Sequence, residues 1–201
     1  MFKRSSLPFL VAAALMIATG CKHLQPVDTK PLDAAGVGYA SIKKLEALKI
    51  TSEEIPEISK MRSAGFSDDS CVSIVEIYHQ HGKQFTAGEA VAGLVKAGVG
   101  ENTVLELARM DQLGLGAGEF QVMRLAGLSD AIILETAKHE AAGTPSLSGL
   151  SLGKLKNAGL RESTLLALEQ RGIPDSATDQ ILAMRKHRAT DKEILRKFTG
   201  T

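Results

Sequence analysis

The chain has 201 residues, 44% of them hydrophobic and 23% charged, with a formal net charge of +1. Such a composition excludes a disordered or collagen-like chain and allows a substantial buried core. The near-balance of charge leaves no general cationic surface for nucleic acid, and the absence of Trp with only two Tyr leaves few platforms for sugars.

The first element is a leader. Lys3 and Arg4 precede an apolar run from Leu7 to Gly20, too short to span a bilayer, which reads as an export signal over residues 1–20. It closes on Ala18-Thr19-Gly20-Cys21. This stretch resembles the lipobox of bacterial lipoproteins, in which the cysteine is lipidated and becomes the new N-terminus. The resemblance implies lipidation at Cys21, with palmitate or a similar acyl chain, and attachment to a membrane. Lys22 stands where an aspartate would resemble an inner-membrane retention signal, so the expected location is the outer membrane, facing the periplasm. Diacylglycerol plus an amide-linked chain anchors durably, where one chain alone is marginal.

Processing would remove Lys3 and Arg4 and no acid, which takes 24 basic groups to 22 against 23 acidic ones and the net charge to −1. With Cys21 modified, Cys71 is the only other cysteine, so no intrachain disulfide is expected. Residues 21–31, with Pro26 and Pro31, read as the lipidated cysteine and a tether.

From residue 32 to 201 the chain reads as one α-helical repeat domain. Ala-Gly pairs begin at Ala35, Ala64, Ala97, Ala126 and Ala158, and a degenerate sixth copy is centred on His187. Three residues before each marker stand Leu32, Met61, Leu94, Met123, Leu155 and Met184. Two after it stand Val37, Phe66, Val99, Leu128, Leu160 and Ala189, and seven after it Ile42, Cys71, Val104, Ile133, Leu165 and Ile194. Each copy therefore predicts a helix, a glycine stop, an apolar turn residue and a second helix with one apolar stripe. Capping-box spacing at Thr51/Glu54, Thr86/Glu89 and Thr190/Glu193 marks helix starts. No segment alternates as a strand would.

The expected fold is all-α: tandem antiparallel helical hairpins with a period of about 30 residues, stacked as a short solenoid or an irregular bundle, because one pair alone cannot cover its stripe. The copies resemble the loose Leu-x-x-Ala-Gly pattern of helical repeats in uncharacterised bacterial envelope proteins. The connection Gly143–Gly149 breaks the array.

The segment Leu94-Val-Lys-Ala-Gly98-Val99-Gly100 resembles a helix-hairpin-helix motif, whose loop N–H groups hold a nucleic-acid phosphate; Gly36-Val37-Gly38 is a second candidate. Yet Asp68, Glu101, Asp130, Glu162 and Asp191 open the following helices in five of six copies. Such carboxylates complement a helix dipole and repel phosphate, so no nucleic-acid partner is expected. The basic tail Arg185, Lys186, Arg188, Lys192, Arg196, Lys197 reads as a solvated terminal helix, or as a contact for anionic lipid or an acidic partner.

Catalytic patterns are poorly placed. Gly149-Leu-Ser151-Leu-Gly153 has nucleophile-elbow spacing, but no strand precedes it. Gly114-Leu-Gly116-Ala-Gly118 likewise reads as a connection before a helix. His139-Glu140 lacks the second zincin histidine, and His79, His81 and Cys71 do not make a closed metal site. No catalytic residue, cofactor or metal is therefore expected. The function expected is a noncatalytic, lipid-anchored interaction or scaffold module of the cell envelope, with a protein partner. The alternative is an envelope enzyme or accessory domain acting on peptidoglycan, with Glu89, Glu119 and Asp130 converging in a groove.

Overall fold

The computed structural model describes residues 27–114 and 116–200. The leader and Cys21, with the lipid anchor expected there, lie outside the described residues. All regular structure among the described residues is helical. The helices are α1 (Lys30–Ala34), α2 (Tyr39–Ala47), α3 (Glu54–Ser63), α4 (Asp68–Gln80), α5 (Gly88–Ala97) and α6 (Glu101–Arg109). They continue as α7 (Ala117–Leu125), α8 (Asp130–Ala142), α9 (Gly149–Asn157), α10 (Glu162–Gln170), α11 (Thr178–Lys186) and α12 (Asp191–Thr199), with a single 3-10 turn at Asp175–Ala177. No helix among the described residues is long and apolar enough to cross a membrane.

The helices pack in two rows. Odd-numbered helices touch in the order α1, α3, α5, α7, α9, α11, and even-numbered ones in the order α2, α4, α6, α8, α10, α12. The irregular connection before α9 does not interrupt either row, since α7 packs on α9 and α8 on α10. One continuous core runs between the rows, because each helix is too short to cover its apolar stripe alone.

Each odd helix ends in the same way. The residue two after the marker donates its N–H to the carbonyl three before it: Val37 to Leu32, Phe66 to Met61, Val99 to Leu94, Leu128 to Met123, Leu160 to Leu155 and Ala189 to Met184, at 3.0–3.2 Å. The intervening residue is left-handed, as at Gly98 with φ +90°. This is the Schellman closure, in which two apolar side chains flank the stop. It explains why those offsets are apolar: in the first five copies both side chains are buried, along with the stripe residue seven past the marker. In the sixth copy Arg188 takes the left-handed position at φ +63°.

Capping departs from expectation at two of three boxes. Thr190 and Glu193 form the full reciprocal box. Thr51 donates its N–H to Glu54 at 2.8 Å, but its hydroxyl does not cap the helix. Thr86 does not cap at all: α5 opens after Ala87, and the Gly88 N–H turns to Glu57 on α3 at 2.9 Å. A long-range carboxylate has replaced the local one, made possible by close packing; a Cβ on Gly88 would lie 2.3 Å from the Glu57 carbonyl oxygen.

Candidate interaction surface

The tips between paired helices are joined by carboxylates. Asp68 accepts the Gly38 N–H at 2.7 Å, Glu101 the Ser67 N–H at 2.9 Å, Asp130 the Gly100 N–H at 3.0 Å, Glu162 the Ser129 N–H at 2.6 Å and Asp191 the Arg161 N–H at 3.0 Å. Each acid opens one even helix and caps the even helix before it. The dipole role expected of these acids is thus incomplete, since their hydrogen bonds cross to the neighbouring pair.

Cations close the same junctions from the carbonyl side. Arg62 donates to Gly36 at 3.0 Å and pairs with Asp68 at 2.8 Å; Arg124 donates to Gly98 at 2.8 Å; Lys156 reaches the Gly127 carbonyl; Arg185 reaches the Gly159 carbonyl and pairs with Asp191 at 3.0 Å. Between α3 and α5 the corresponding residue is Val95, and there Glu101 takes the Ser67 hydroxyl at 2.6 Å instead.

These junctions settle the availability of the Gly98-Val99-Gly100 loop. The Gly98 N–H donates to Val95, the Val99 N–H to Leu94 and the Gly100 N–H to Asp130. None of the three is free to meet a phosphate. The second glycine has a different cause: a Cβ on Gly100 would lie 2.7 Å from the Asp130 carboxylate, and one on Gly38 2.8 Å from that of Asp68. Where the cap residue is Ser67 or Ser129, the partner is the longer Glu101 or Glu162.

The other candidates disperse. Cys71 is fully buried on α4, and burial pushes its thiol up to about 12. His79 contacts Glu54 at 2.7 Å, while His81 is exposed just past the helix. Ser151 is buried inside α9, where its hydrogen bond helps hold the Asp175 carboxyl low. Glu119 accepts the Gly149 N–H, and Asp130 is held at the Gly100 tip and by Thr103 at 3.0 Å. Of the three acids posited to converge, Glu89 lines a groove over α3 and α5 that Glu119 and Asp130 do not line. No three His, Cys, Asp or Glu side chains among the described residues are grouped to hold a metal.

Two buried glutamates deepen the scaffold. Glu54 accepts the N–H groups of Thr51 and Phe85 and contacts His79; burial raises its pKa, but these donors outweigh it and hold the carboxyl below its ordinary range. Glu169 is held by Thr136 at 2.8 Å and the Leu147 N–H at 3.2 Å, and here burial prevails and raises the pKa. Both tie a connecting segment to a helix.

A concavity lies on the odd row. A groove of about 1030 Å³ runs over α1, α3 and α5, with Ile55, Ser59 and Ser63 below, Pro31 and Ala34 on one side, and Ala92 and Lys96 on the other. Small and apolar side chains make its floor, while Asp28, Glu89 and Lys96 edge it. The same helix face continues beyond it. Val122, Leu125 and Leu150 are among the few large exposed apolar side chains, and they stand four, one and eight residues before their markers. Those are the offsets from which Lys60, Ser63 and Pro56 line the groove. Comparing the copies at these three offsets, instead of at the buried ones, is the signal that would have revealed this face in the sequence.

No family model, curated protein or solved structure matches the chain.

Proposed function

We propose that this chain is a noncatalytic scaffold of the bacterial cell envelope, anchored through lipid on Cys21, whose odd-row face receives a segment of a protein partner. The groove over α1, α3 and α5 carries this reading: its walls are small and apolar, its edges bear both signs of charge, and it continues into Val122, Leu125 and Leu150. An apolar floor with a polar rim is the anatomy of a protein-binding patch. Val27, which lines the groove, is six residues from Cys21, a reach of about 20 Å at full extension. A lipid on that cysteine would keep the groove near a membrane and its proteins.

Photo-crosslinking in cells tests this. A crosslinker at Ser63 in the groove is expected to capture a discrete envelope protein, and one at exposed Glu76 on α4 is not. Equal capture at both positions, or none at Ser63, overturns the partner assignment. Cys21→Ala is expected to abolish acyl labelling and move the protein from membrane to soluble fractions; unchanged fractionation overturns the anchor.

A further inference from the structure

We propose that the terminal hairpin, α11 and α12, is a docking surface for an anionic lipid bilayer. Lys186, Arg188, Lys192, Arg196 and Lys197 are all exposed, and none forms an ion pair with a described carboxylate. The two acids of the α12 first turn are already engaged. Asp191 is buried between Arg161, Thr164 and Arg185, and Glu193 closes the capping box on Thr190. The hairpin carries six cations against Asp179, Asp191 and Glu193; Arg196 also helps to hold the Glu193 carboxyl low, and the remainder is an excess of positive charge on a chain that is otherwise near balance.

Three features separate this end from an ordinary solvated helix. Arg188 occupies the left-handed position that glycine fills in the five sister turns at the ends of odd helices, a backbone that Lys49 and Asp111 adopt after even helices, and it makes no ion pair with a described carboxylate. A depression of about 450 Å³ lies between the end of α11 and α12, with Met184, Arg188, Arg196 and Lys197 at its edge; Glu193 also lines it, held by Thr190. Finally, Met184 is only partly covered by the core, where Leu32, Met61, Leu94, Met123 and Leu155 at the same offset are fully buried, and Leu195 and Phe198 of α12 are partly covered as well.

Cations set around partly uncovered apolar side chains match the plane of a bilayer, where phosphate lies above hydrocarbon. Duplex nucleic acid would use the charge and leave the apolar atoms unsatisfied. The surface sits at the opposite end of the rows from α1, so it would give an anchored chain a second point of attachment. The inference does not depend on lipid at Cys21.

Vesicle sedimentation tests it with the chain starting at Lys22, which keeps every described residue. Binding to phosphatidylcholine vesicles carrying one third phosphatidylglycerol is expected to be at least about tenfold tighter than to phosphatidylcholine alone, and to weaken as salt rises. Lys192→Gln/Arg196→Gln/Lys197→Gln is expected to lose about tenfold or more, with its thermal melt checked against wild type. Lys30→Gln/Lys49→Gln/Lys154→Gln, with the same change in net charge, is expected to bind as wild type does. Equal loss in that control, or no preference for the anionic vesicles, overturns the proposal. So does tighter binding to polyglutamate or duplex DNA at matched salt.

Discussion

Asp130, the first residue of α8, accepts the backbone N–H of Gly100, which caps α6, at 3.0 Å. The contact spans 30 residues of sequence and joins two successive helix pairs. Its counterparts at Asp68, Glu101, Glu162 and Asp191 make a ladder along the tips of the even row. The ladder stops at both ends: Tyr39 stands where the first acid would be, and the Thr190 N–H is closed by its own Glu193.

The pairing of Gly with Asp and of Ser with Glu can be tested by exchange. Gly100→Ser alone places a Cβ against the Asp130 carboxylate and is expected to cost about 1–2 kcal/mol, because the N–H loses its acceptor geometry. Adding Asp130→Glu supplies the longer reach seen at Ser67 and Ser129, and should recover at least half of that loss in urea unfolding. Arg161, which carries a side chain and still donates to Asp191, shows that the cost is one of fit and not absolute. Additive losses in the double variant would remove the steric account.

Glu54 makes a stronger demand, since its side chain is fully buried and serves three donors. Glu54→Ala should destabilise by at least about 3 kcal/mol, with buried N–H groups of Thr51 and Phe85 left unpaired at about 1–3 kcal/mol each. Glu54→Gln, which keeps one acceptor oxygen, should lose less. Comparing the two by denaturant midpoint separates hydrogen bonding from side-chain volume.

Cys71 should be chemically silent in the folded chain. It is fully buried, its sulfur lies 4.0 Å from the Phe66 carbonyl, and burial pushes the thiol up to about 12, so almost no thiolate exists at pH 8. In the chain starting at Lys22 it is the sole cysteine. Iodoacetamide should therefore modify it only as denaturant unfolds the protein, and labelling in native buffer would contradict the packing.

The order of elements and most of the core were legible because both follow local rules. A Schellman stop favours a glycine between two flanking apolar residues within six positions, and the stripe of Val104 or Ile133 follows from helical periodicity. The destination of Glu101 or Asp130 was not legible, since a hydrogen bond across 30–34 residues leaves no local trace. A trace does exist between copies, in the matching of Gly100 with Asp130 and Ser67 with Glu101. The groove was hidden for another reason: which helix face stays uncovered depends on how the rows stack, and Ser59 or Ala92 in isolation look like ordinary helix residues.

Acid should loosen the array, and the sign differs between two sets of carboxyls. In Glu101 and Asp191 burial opposes ionisation, yet the hydrogen bonds from Ser67 and Ser70, and from Thr164 and Arg161, prevail and hold both pKa values low; in Glu162 the Ser129 bond leads directly. A depressed folded pKa contributes stability that is fully present above the unfolded value, 4.5 for Glu and 3.8 for Asp, and lost as pH falls through the folded one. The urea midpoint should therefore drop steadily below about pH 4.5. Glu169 runs the other way: burial raises its pKa, so the folded state gives up stability as pH climbs from 4.5 through the raised value. Glu169→Gln cannot ionise, and the difference between it and wild type should shift in its favour between pH 4 and pH 7. A constant difference across that range would mean that Glu169 titrates alike in the folded and unfolded chain, with Thr136 and Leu147 balancing its burial.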